Sequence, residues 1–329
     1  MSAISEAGAA FLPLIGRIRT HSQVHELLDK RLVFVTGKGG VGKSTISVAL
    51  GIAAAARGRR TIVCEVSSQE TASRLFKRGE VGFHEVQLAE NLWTISIDPD
   101  DSLREYLLLQ LKVRAMRDML MRSRIFNYLA AATPGLKELV TIGKIWELAQ
   151  PNRRVKKARE YDLVIVDAPA TGQGVGFLQT PRTFANIARV GPVHSQAQEL
   201  DRFITDHRTT GVAIVALPEE MPVNESASLE DQLSREVGIA VDRVYMNALY
   251  PERFSRDDAG ALERALDAAE GPAHAAIRAA LSEHRRCRSQ RAQLQRLKRR
   301  VSSPVRTLPF IFKPTLDIPS LERLAGALT

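Results

Sequence analysis

Gly37-Lys38-Gly39-Gly40-Val41-Gly42-Lys43-Ser44-Thr45 is the stretch of the sequence that decides the fold. It fills the pattern G-x-x-x-x-G-K-[ST] of a phosphate-binding loop. In such a loop the glycines let backbone N–H groups surround a triphosphate, the last lysine contacts the β- and γ-phosphates, and the hydroxyl binds Mg²⁺. We therefore predict that all nine residues belong to a nucleotide site, with Lys43 as a catalytic residue and Ser44 as a metal ligand.

The residues on either side of this loop support the prediction. Arg31–Thr36 (RLVFVT) is a β-rich run that predicts a buried strand, and Ser44–Arg57 (STISVALGIAAAAR) predicts an apolar helix. The phosphates would then lie at the N-terminus of that helix, where unpaired N–H groups and the helix dipole favour an anion.

Lys38 is a second lysine, at the entrance of the loop. An ordinary phosphate-binding loop does not need it, because Lys43 and the backbone already neutralise the phosphates. We interpret Lys38 as a catalytic residue that stabilises charge on the phosphates of a facing subunit, as a finger supplied in trans does. The alternative is a solvated surface lysine.

Seven short β-rich runs alternate with helical patterns along the chain. This alternation predicts an α/β fold with a mostly parallel sheet flanked by helices, and together with the loop Gly37–Thr45 it indicates a P-loop NTPase. The nucleotide should lie at the carboxyl ends of the strands. The predicted strands are Leu32–Thr36, Thr61–Glu65, Leu92–Ile97, Leu163–Asp167, Gly211–Ala216, Arg243–Met246 and Val305–Leu308.

One region, about residues 101–150, carries no strand signal and predicts an α-helical insertion. Pro134-Gly135 should break it, with a new helix over Leu136–Leu148. Its methionine-rich part, Met116–Met121, either fills the core between helices or forms an adaptable binding groove. We divide the chain into an N-terminal extension, residues 1–30, and a single domain, residues 31–329, that contains the insertion.

Length and composition are those of a large globular enzyme. A chain of 329 residues can bury a full core. Its two cysteines, Cys64 and Cys287, exclude a disulfide framework and fit a reducing compartment.

No apolar run reaches the ~18–20 residues that span a bilayer, and no basic lead precedes the apolar patch at the N-terminus. We therefore expect a cytoplasmic protein.

The net charge of +9 is concentrated between Arg285 and Arg300, a segment with eight basic residues and no acidic one. The segment predicts a helix with Leu294 and Leu297 packed on one side. Its basic face is either simply solvated, or it contacts an acidic partner or an anionic membrane surface. Nucleic-acid binding is disfavoured, because the chain has no recognisable reading motif and few aromatic residues for stacking.

The loop Gly37–Thr45 resembles the deviant Walker A loop of the ParA/MinD/ArsA group of dimeric ATPases. Later segments are similar to the ArsA branch, which includes arsenite-pump ATPases and ATPases that target tail-anchored membrane proteins. The resemblance runs from about residue 31 to the C-terminus and implies that the nucleotide is ATP, bound with Mg²⁺. The similar segments are Glu90–Pro99 (ENLWTISIDP), Val166–Gly172 (VDAPATG), Leu217–Glu219 with Glu225, and Tyr245–Asn247 (YMN).

The resemblance also implies roles for single residues. Asp167 would hold Mg²⁺ together with Ser44. Glu65 falls where the family has the switch I aspartate that activates the attacking water, but here the stretch reads Glu65–Glu70 (EVSSQE) in place of Asp-Pro-Ala-His. Gln173 replaces a switch II histidine, and glutamine can also orient water.

The adenine side of the site rests on three residues. Asn247 would hydrogen-bond the edge of the base, as its family counterpart does. Pro309 and Phe310 would flank the ring after the last predicted strand. The alternative for Asn247 is a turn residue that ends a strand.

Two functions remain open. The first is a Mg·ATP-binding, dimeric ArsA-like ATPase that hydrolyses ATP and uses nucleotide-driven closure to handle a protein client or partner. Its second subunit would be another copy or a related chain, and in the tail-anchor-targeting relatives helices at the insertion form a client groove. The second function is a weakly hydrolysing or non-hydrolysing nucleotide-binding subunit of a heterodimer. The altered switch I favours it, because a displacement of about 1 Å can cost about 10²-fold in rate.

Two further functions are disfavoured. An arsenite-pump subunit would need clustered thiolates for metalloid capture, and Cys64 and Cys287 lie far apart in the sequence. A ParA-like partition ATPase is disfavoured because switch II and the helical insertion resemble the ArsA branch.

Overall fold

The computed structural model describes residues 25–66, 70–110, 133–153, 155 and 158–328. Its strands, in chain order, are β1 (Leu32–Gly37), β2 (Thr61–Glu65), β3 (Val86–Ala89), β4 (Leu92–Ser96), β5 (Leu163–Asp167), β6 (Thr210–Ala216), β7 (Arg243–Leu249) and β8 (Val305–Pro309). Within the described residues they form one eight-stranded sheet in the order β3-β4-β2-β5-β1-β6-β7-β8. The β3–β4 pair is antiparallel and every other pair is parallel, which confirms the predicted α/β fold.

Helices cover both faces of this sheet, and the buried apolar side chains accordingly form two clusters. Among the described residues, no helix combines the length and the apolar content that crossing a bilayer requires. The helices are α1 (His25–Asp29), α2 (Lys43–Ala55), α3 (Thr71–Leu75), α4 (Pro99–Gln110), α5 (Leu136–Leu148), α6 (Thr171–Ala188), α7 (Pro192–Thr205), α8 (Glu220–Gln232), α9 (Arg256–Leu266), α10 (Gly271–Arg300) and α11 (Ile318–Leu328).

The central strands are buried along their whole length. Every residue of β1, β2, β5 and β6 is buried, because a parallel sheet covered on both faces leaves no side for polar residues. The register pairs Glu65 of β2 with Asp167 of β5, and Asp167 with Val35 of β1. Two carboxylates and the start of the phosphate-binding loop therefore meet at the carboxyl edge of the sheet.

One strand, β3, was not predicted from the sequence. β3 has only four residues, lies at the edge of the sheet and shifts register against β4 between Gln87 and Ala89. Such a short, half-exposed strand carries too few alternating residues to give a periodic signal. The seven predicted strands are all present, with ends that differ by at most three residues from the prediction.

The helical insertion is described at its two ends. The helix predicted over Leu136–Leu148 is confirmed, and it begins after Gly135, whose φ of 79° lies in the left-handed region that favours glycine. α4 follows Asp98, as the strand ending in Asp-Pro predicts. Met116–Met121 lies outside the described residues, so both interpretations of that segment stay predictions.

A buried ionic cluster joins α4, α5 and the segment before β3. Lys144 Nζ lies 2.7 Å from Glu105 Oε2, and Arg153 Nη2 lies 2.9 Å from Glu147 Oε2 and 2.7 Å from Glu85 Oε1. Removing one partner from such a cluster would leave a buried charge without compensation. The cluster therefore fixes how the ends of the insertion sit against the rest of the fold.

The first and last described helices both pack into the core. Leu27 and Leu28 of α1 are buried in the same apolar cluster as β1. α11 packs against α2, the helix that follows the phosphate-binding loop, and buries Leu321, Leu324 and Leu328.

Candidate nucleotide site

The loop Gly37–Thr45 connects β1 to α2 along a path that only glycine allows. Gly37, Gly40 and Gly42 have φ values of 144°, 80° and 94°, which residues with a side chain rarely adopt. A Cβ atom at Gly37 would lie 2.3 Å from Val215 O. α2 begins at Lys43, so the positive end of a 13-residue helix lies directly behind the loop. This is the arrangement that binds phosphate in other proteins.

The predicted metal ligands, Ser44 at the start of α2 and Asp167 at the end of β5, lie in contact. Ser44 Oγ donates a hydrogen bond to Asp167 Oδ2 at 2.5 Å, and Lys43 Nζ donates one to Lys38 O at 3.2 Å. Burial raises the pKa of Asp167, although the Ser44 hydrogen bond and the charge of Lys43 lower it in part. Burial likewise lowers the pKa of Lys43, and its attraction to Asp167 opposes that change.

The oxygen atoms of this pair fit Mg²⁺. Asp167 Oδ1 is buried and has no hydrogen-bond partner among the described residues, and such orphaned atoms are uncommon in folded proteins. Mg²⁺ is normally held by one or two protein oxygens together with waters and substrate phosphates. Ser44 and Asp167 supply that kind of incomplete ligand set.

Glu65 is engaged with the backbone of the neighbouring helix. Its side chain is buried, and Oε1 accepts hydrogen bonds from the N–H of Thr71 at 2.6 Å and of Ala72 at 3.1 Å, at the start of α3. Burial raises the pKa of Glu65 to about 7, even though the two N–H groups stabilise its charged form. Residues 67–69, the middle of the predicted switch I, lie outside the described residues. Oε1 is thus engaged by two backbone N–H groups, whereas Oε2 has a weaker contact, 3.3 Å from the N of Ala72.

The segment that resembles switch II, Val166–Gly172, runs from the end of β5 into the first turn of α6. Gln173 is exposed there, close in sequence to Asp167. Gly174 is buried, and a Cβ atom at this position would lie 3.1 Å from both Pro169 O and Thr36 Oγ1. Gly174 thus allows close packing of α6 against the end of β1.

Lys38 has a partner that the sequence analysis did not pair with it. Its Nζ lies 2.5 Å from Glu225 Oε1 on α8, and Thr171 Oγ1 donates a hydrogen bond to Glu225 Oε2 at 3.4 Å. The sequence marks Glu225 only as part of a segment that resembles the ArsA branch. The two residues are 187 positions apart, and no local pattern links residues at that separation.

The predicted adenine-side residues lie on the outer strands β7 and β8. Asn247 lies inside β7 rather than at a turn, and its Nδ2 donates a hydrogen bond to Val41 O at 3.0 Å. Pro309 ends β8, and the ring of the next residue, Phe310, packs against that of Tyr250 with centroids 4.7 Å apart and planes inclined at 48°. Tyr250 was not predicted: it directly follows β7, which ends at Leu249, whereas the sequence placed the end of that strand at Met246.

Away from the loop, a largely apolar cavity of about 160 Å³ lies between α4, α5, α6 and α7. Around the connection between α6 and α7, Val193 lines this cavity and is 44% exposed, and Ile187 and Val190 are 71% and 82% exposed. The residues that line the cavity include Leu103, Tyr106, Leu139, Trp146, Phe184 and Leu200.

The basic segment is the second half of α10, as predicted. Leu294 and Leu297 are buried, which confirms the predicted packing side. Arg296 Nη1 lies 3.2 Å from Glu220 Oε1 on α8, and Arg286 Nη1 donates a hydrogen bond to Tyr250 Oη at 2.9 Å. Most of the other basic side chains of the segment are exposed.

Comparison with known proteins agrees with this geometry. A family model described as anion-transporting ATPase matches residues 30–196 and 187–269. ATPase BagA of Mycobacterium tuberculosis is 31% identical over 248 residues, which cover 72% of this chain and 71% of that protein. A protein of Aquifex aeolicus provisionally named arsenical pump-driving ATPase 2 is 27% identical over 68% of this chain and 81% of its own length. ATPase GET3 of Chaetomium globosum is 30% identical over 53% of this chain and 50% of its own length.

The family match covers most of the chain and includes the phosphate-binding loop, both switches and Asn247. The matched relatives are themselves named as ATPases. The loop geometry and these relatives together support nucleotide binding and ATPase activity, and the chain belongs to the family of anion-transporting, ArsA-type ATPases.

Proposed function

We propose that this chain is a Mg·ATP-dependent ATPase that works as a dimer and uses nucleotide-driven closure to handle a protein client or partner. The observation that carries the proposal is the meeting of Lys43, Ser44 and Asp167 at one edge of the sheet, with Lys38 at the entrance of the same loop. The ArsA-type family to which the chain belongs supports it.

Each residue has a stated role in this proposal. Lys43 and the loop N–H groups bind the β- and γ-phosphates. Ser44 and Asp167 would hold Mg²⁺, which neutralises charge on the phosphate oxygens when bound. Glu65 takes the proton of the attacking water after it leaves α3, and Gln173 orients that water. Lys38 stabilises the transferring phosphoryl group of the facing subunit.

On the adenine side, we propose that Asn247 acts in two ways. It contacts the edge of the base, and its bond to Val41 O transmits the presence of the base to the phosphate-binding loop. Phe310 and Pro309 flank the ring, with Tyr250 packed behind Phe310.

The proposed client surface is the apolar cavity between α4 and α7, together with the exposed side chains of Ile187 and Val190. The basic face of α10 is proposed to contact an acidic partner or an anionic membrane. Metalloid capture is not part of the proposal. Cys64 and Cys287 are both buried, on β2 and α10, and burial raises the pKa of the Cys64 thiol.

The first test of this function is the mass of the chain in solution. We expect a monomer without nucleotide and a doubled mass with Mg·ATP, because Lys38 can reach foreign phosphates only across a dimer. Light scattering after size exclusion measures this directly. A chain that stays monomeric with Mg·ATP, yet doubles in mass beside a related co-purifying ATPase, would favour the heterodimeric subunit instead.

The engagement of Glu65 with α3 favours that second candidate function, a weakly hydrolysing subunit. The pH dependence of ATP turnover tests whether Glu65 acts as the base, and so distinguishes the two functions. If Glu65 is the base, kcat/KM for Mg·ATP should rise with pH through about 7, because the buried carboxyl must lose its proton. We expect Glu65→Gln to lower turnover about 10²-fold and to remove this rise.

Glu65→Gln should remove the charge of the side chain without disturbing the fold. The amide oxygen that Glu65→Gln introduces can still accept the N–H groups of Thr71 and Ala72, so the fold should persist. Glu263→Gln is the matched control, since Glu263 is exposed on α9 and has no proposed role in hydrolysis. A Glu65→Gln enzyme with the turnover and pH profile of the wild type would rule out Glu65 as the base.

A further inference from the structure

Glu225 occupies a position where it can control the trans-acting lysine. It lies on α8, whereas Lys38 lies in the phosphate-binding loop and Thr171, in the segment that resembles switch II, begins α6. One carboxylate therefore contacts both the loop and the start of α6, through Oε1 at 2.5 Å from Lys38 Nζ and Oε2 at 3.4 Å from Thr171 Oγ1.

The contact also holds Lys38 within its own subunit. The side chains of Lys38 and Glu225 are 33% and 31% exposed, so the pair lies at the surface and is not locked in the core. The backbone carbonyl of Lys38 accepts Lys43 Nζ at 3.2 Å. The resting position of Lys38 is thus fixed at both its backbone and its ammonium group.

We propose that Glu225 is a positioning residue that holds Lys38 back while no subunit faces the site, and that closure around Mg·ATP transfers the lysine from this carboxylate to the phosphates of the facing subunit. Rearrangement of switch II at Thr171 would withdraw the second contact of Glu225 and assist the release. The inference rests on the proposed function, in which Lys38 acts across a dimer.

The size of the effect follows from the exposure of the pair. A partly exposed ion pair shifts an equilibrium by only a few-fold, because water and salt screen it. Breaking it is nevertheless a required step, and the apparent affinity of a two-state protein falls with the population of its competent state. Removing the pair should therefore strengthen dimer formation by about 2- to 5-fold.

The test compares Glu225→Gln with Glu220→Gln. Both remove one negative charge from α8, but Glu220 pairs with Arg296 and not with Lys38. The dimer dissociation constant is measured by light scattering at saturating Mg·ATP, and the rate at which sulfo-NHS-acetate acetylates Lys38 is measured by mass spectrometry without nucleotide. We expect Glu225→Gln to lower the dissociation constant about 2- to 5-fold and to speed acetylation by a similar factor, and Glu220→Gln to change neither.

The two readouts separate the failures. An unchanged acetylation rate in Glu225→Gln would overturn the inference, because the carboxylate would then not restrain Lys38. Faster acetylation with an unchanged dissociation constant, in a wild type that does dimerise, would overturn it as well. A wild type that does not dimerise with Mg·ATP would instead refute the proposed function, whatever the acetylation rate.

Discussion

Replacing Lys38 with alanine is expected to lower ATP turnover about 10³-fold while Mg·ATP still binds. A cationic finger supplied in trans contributes about 10³–10⁵ to the rate in phosphoryl transfer, and we take the lower end because in the proposed site Lys43 would also contact the phosphates. Binding should persist because Lys43, Ser44 and the loop backbone remain. Steady-state turnover and equilibrium binding of a fluorescent ATP analogue measure the two quantities separately.

A mixing experiment tests whether Lys38 acts in trans. The Lys38→Ala chain keeps its own Asp167, whereas an Asp167→Asn chain keeps Lys38 to offer to a partner. In an equal mixture about half of the dimers would be mixed, each with one complete site, so activity should recover to about a quarter of the wild-type value. No recovery in a mixture that does form dimers would place Lys38 in the site of its own subunit.

Replacing Asp167 with asparagine is expected to have opposite effects on turnover and stability. Turnover should fall at least about 10²-fold, because one of the two oxygen ligands proposed for Mg²⁺ loses its charge. The nucleotide-free protein should become more stable. Asp167 Oδ1 is buried without a partner among the described residues, and burial raises the pKa of this carboxyl. Its charge therefore opposes folding at neutral pH.

The sign of this stability effect is fixed by linkage. When the pKa of a carboxyl is higher in the folded than in the unfolded state, the free energy of unfolding falls as the pH rises through the pKa of the unfolded state. The gain in Tm for Asp167→Asn should therefore be largest near pH 7 and should disappear below about pH 4, where the aspartate is protonated in both states. A lower Tm for the variant at pH 7 would contradict this account.

Ser44→Ala, which removes the hydrogen-bond donor to Asp167, is expected to lower Tm.

Much of the fold was predictable because the signals were local. The strand before the loop, the glycines of Gly37–Thr45 and the helix behind it follow one another directly along the chain, and the structure has all three. The same holds for α5, which begins at the predicted break after Gly135. β3 was not predictable, since its four residues are held mainly by pairing with β4 and not by their own pattern.

The site was predictable as a set of residues but not as a set of contacts. The proximity of Ser44 and Asp167 follows from parallel strands that end at one edge. The contact of Glu65 with the start of α3, and that of Lys38 with Glu225, depend on how helices pack after the strands are in place. Such contacts join residues that are far apart in the sequence. No local pattern in a single sequence therefore reveals them.

The packing of α11 on α2 has a consequence for the synthesis of the protein. The phosphate-binding loop is made early, but β1 lies between β5 and β6, and α2 is covered by residues 318–328. During synthesis, the loop sequence would therefore leave the ribosome long before the residues that cover α2 have been made. Contacts between distant parts of a chain form late in folding. ATP should thus bind only after the last described helix, α11, has emerged. A chain halted before that point would lack the nucleotide site and would expose the uncovered face of α2 to chaperones.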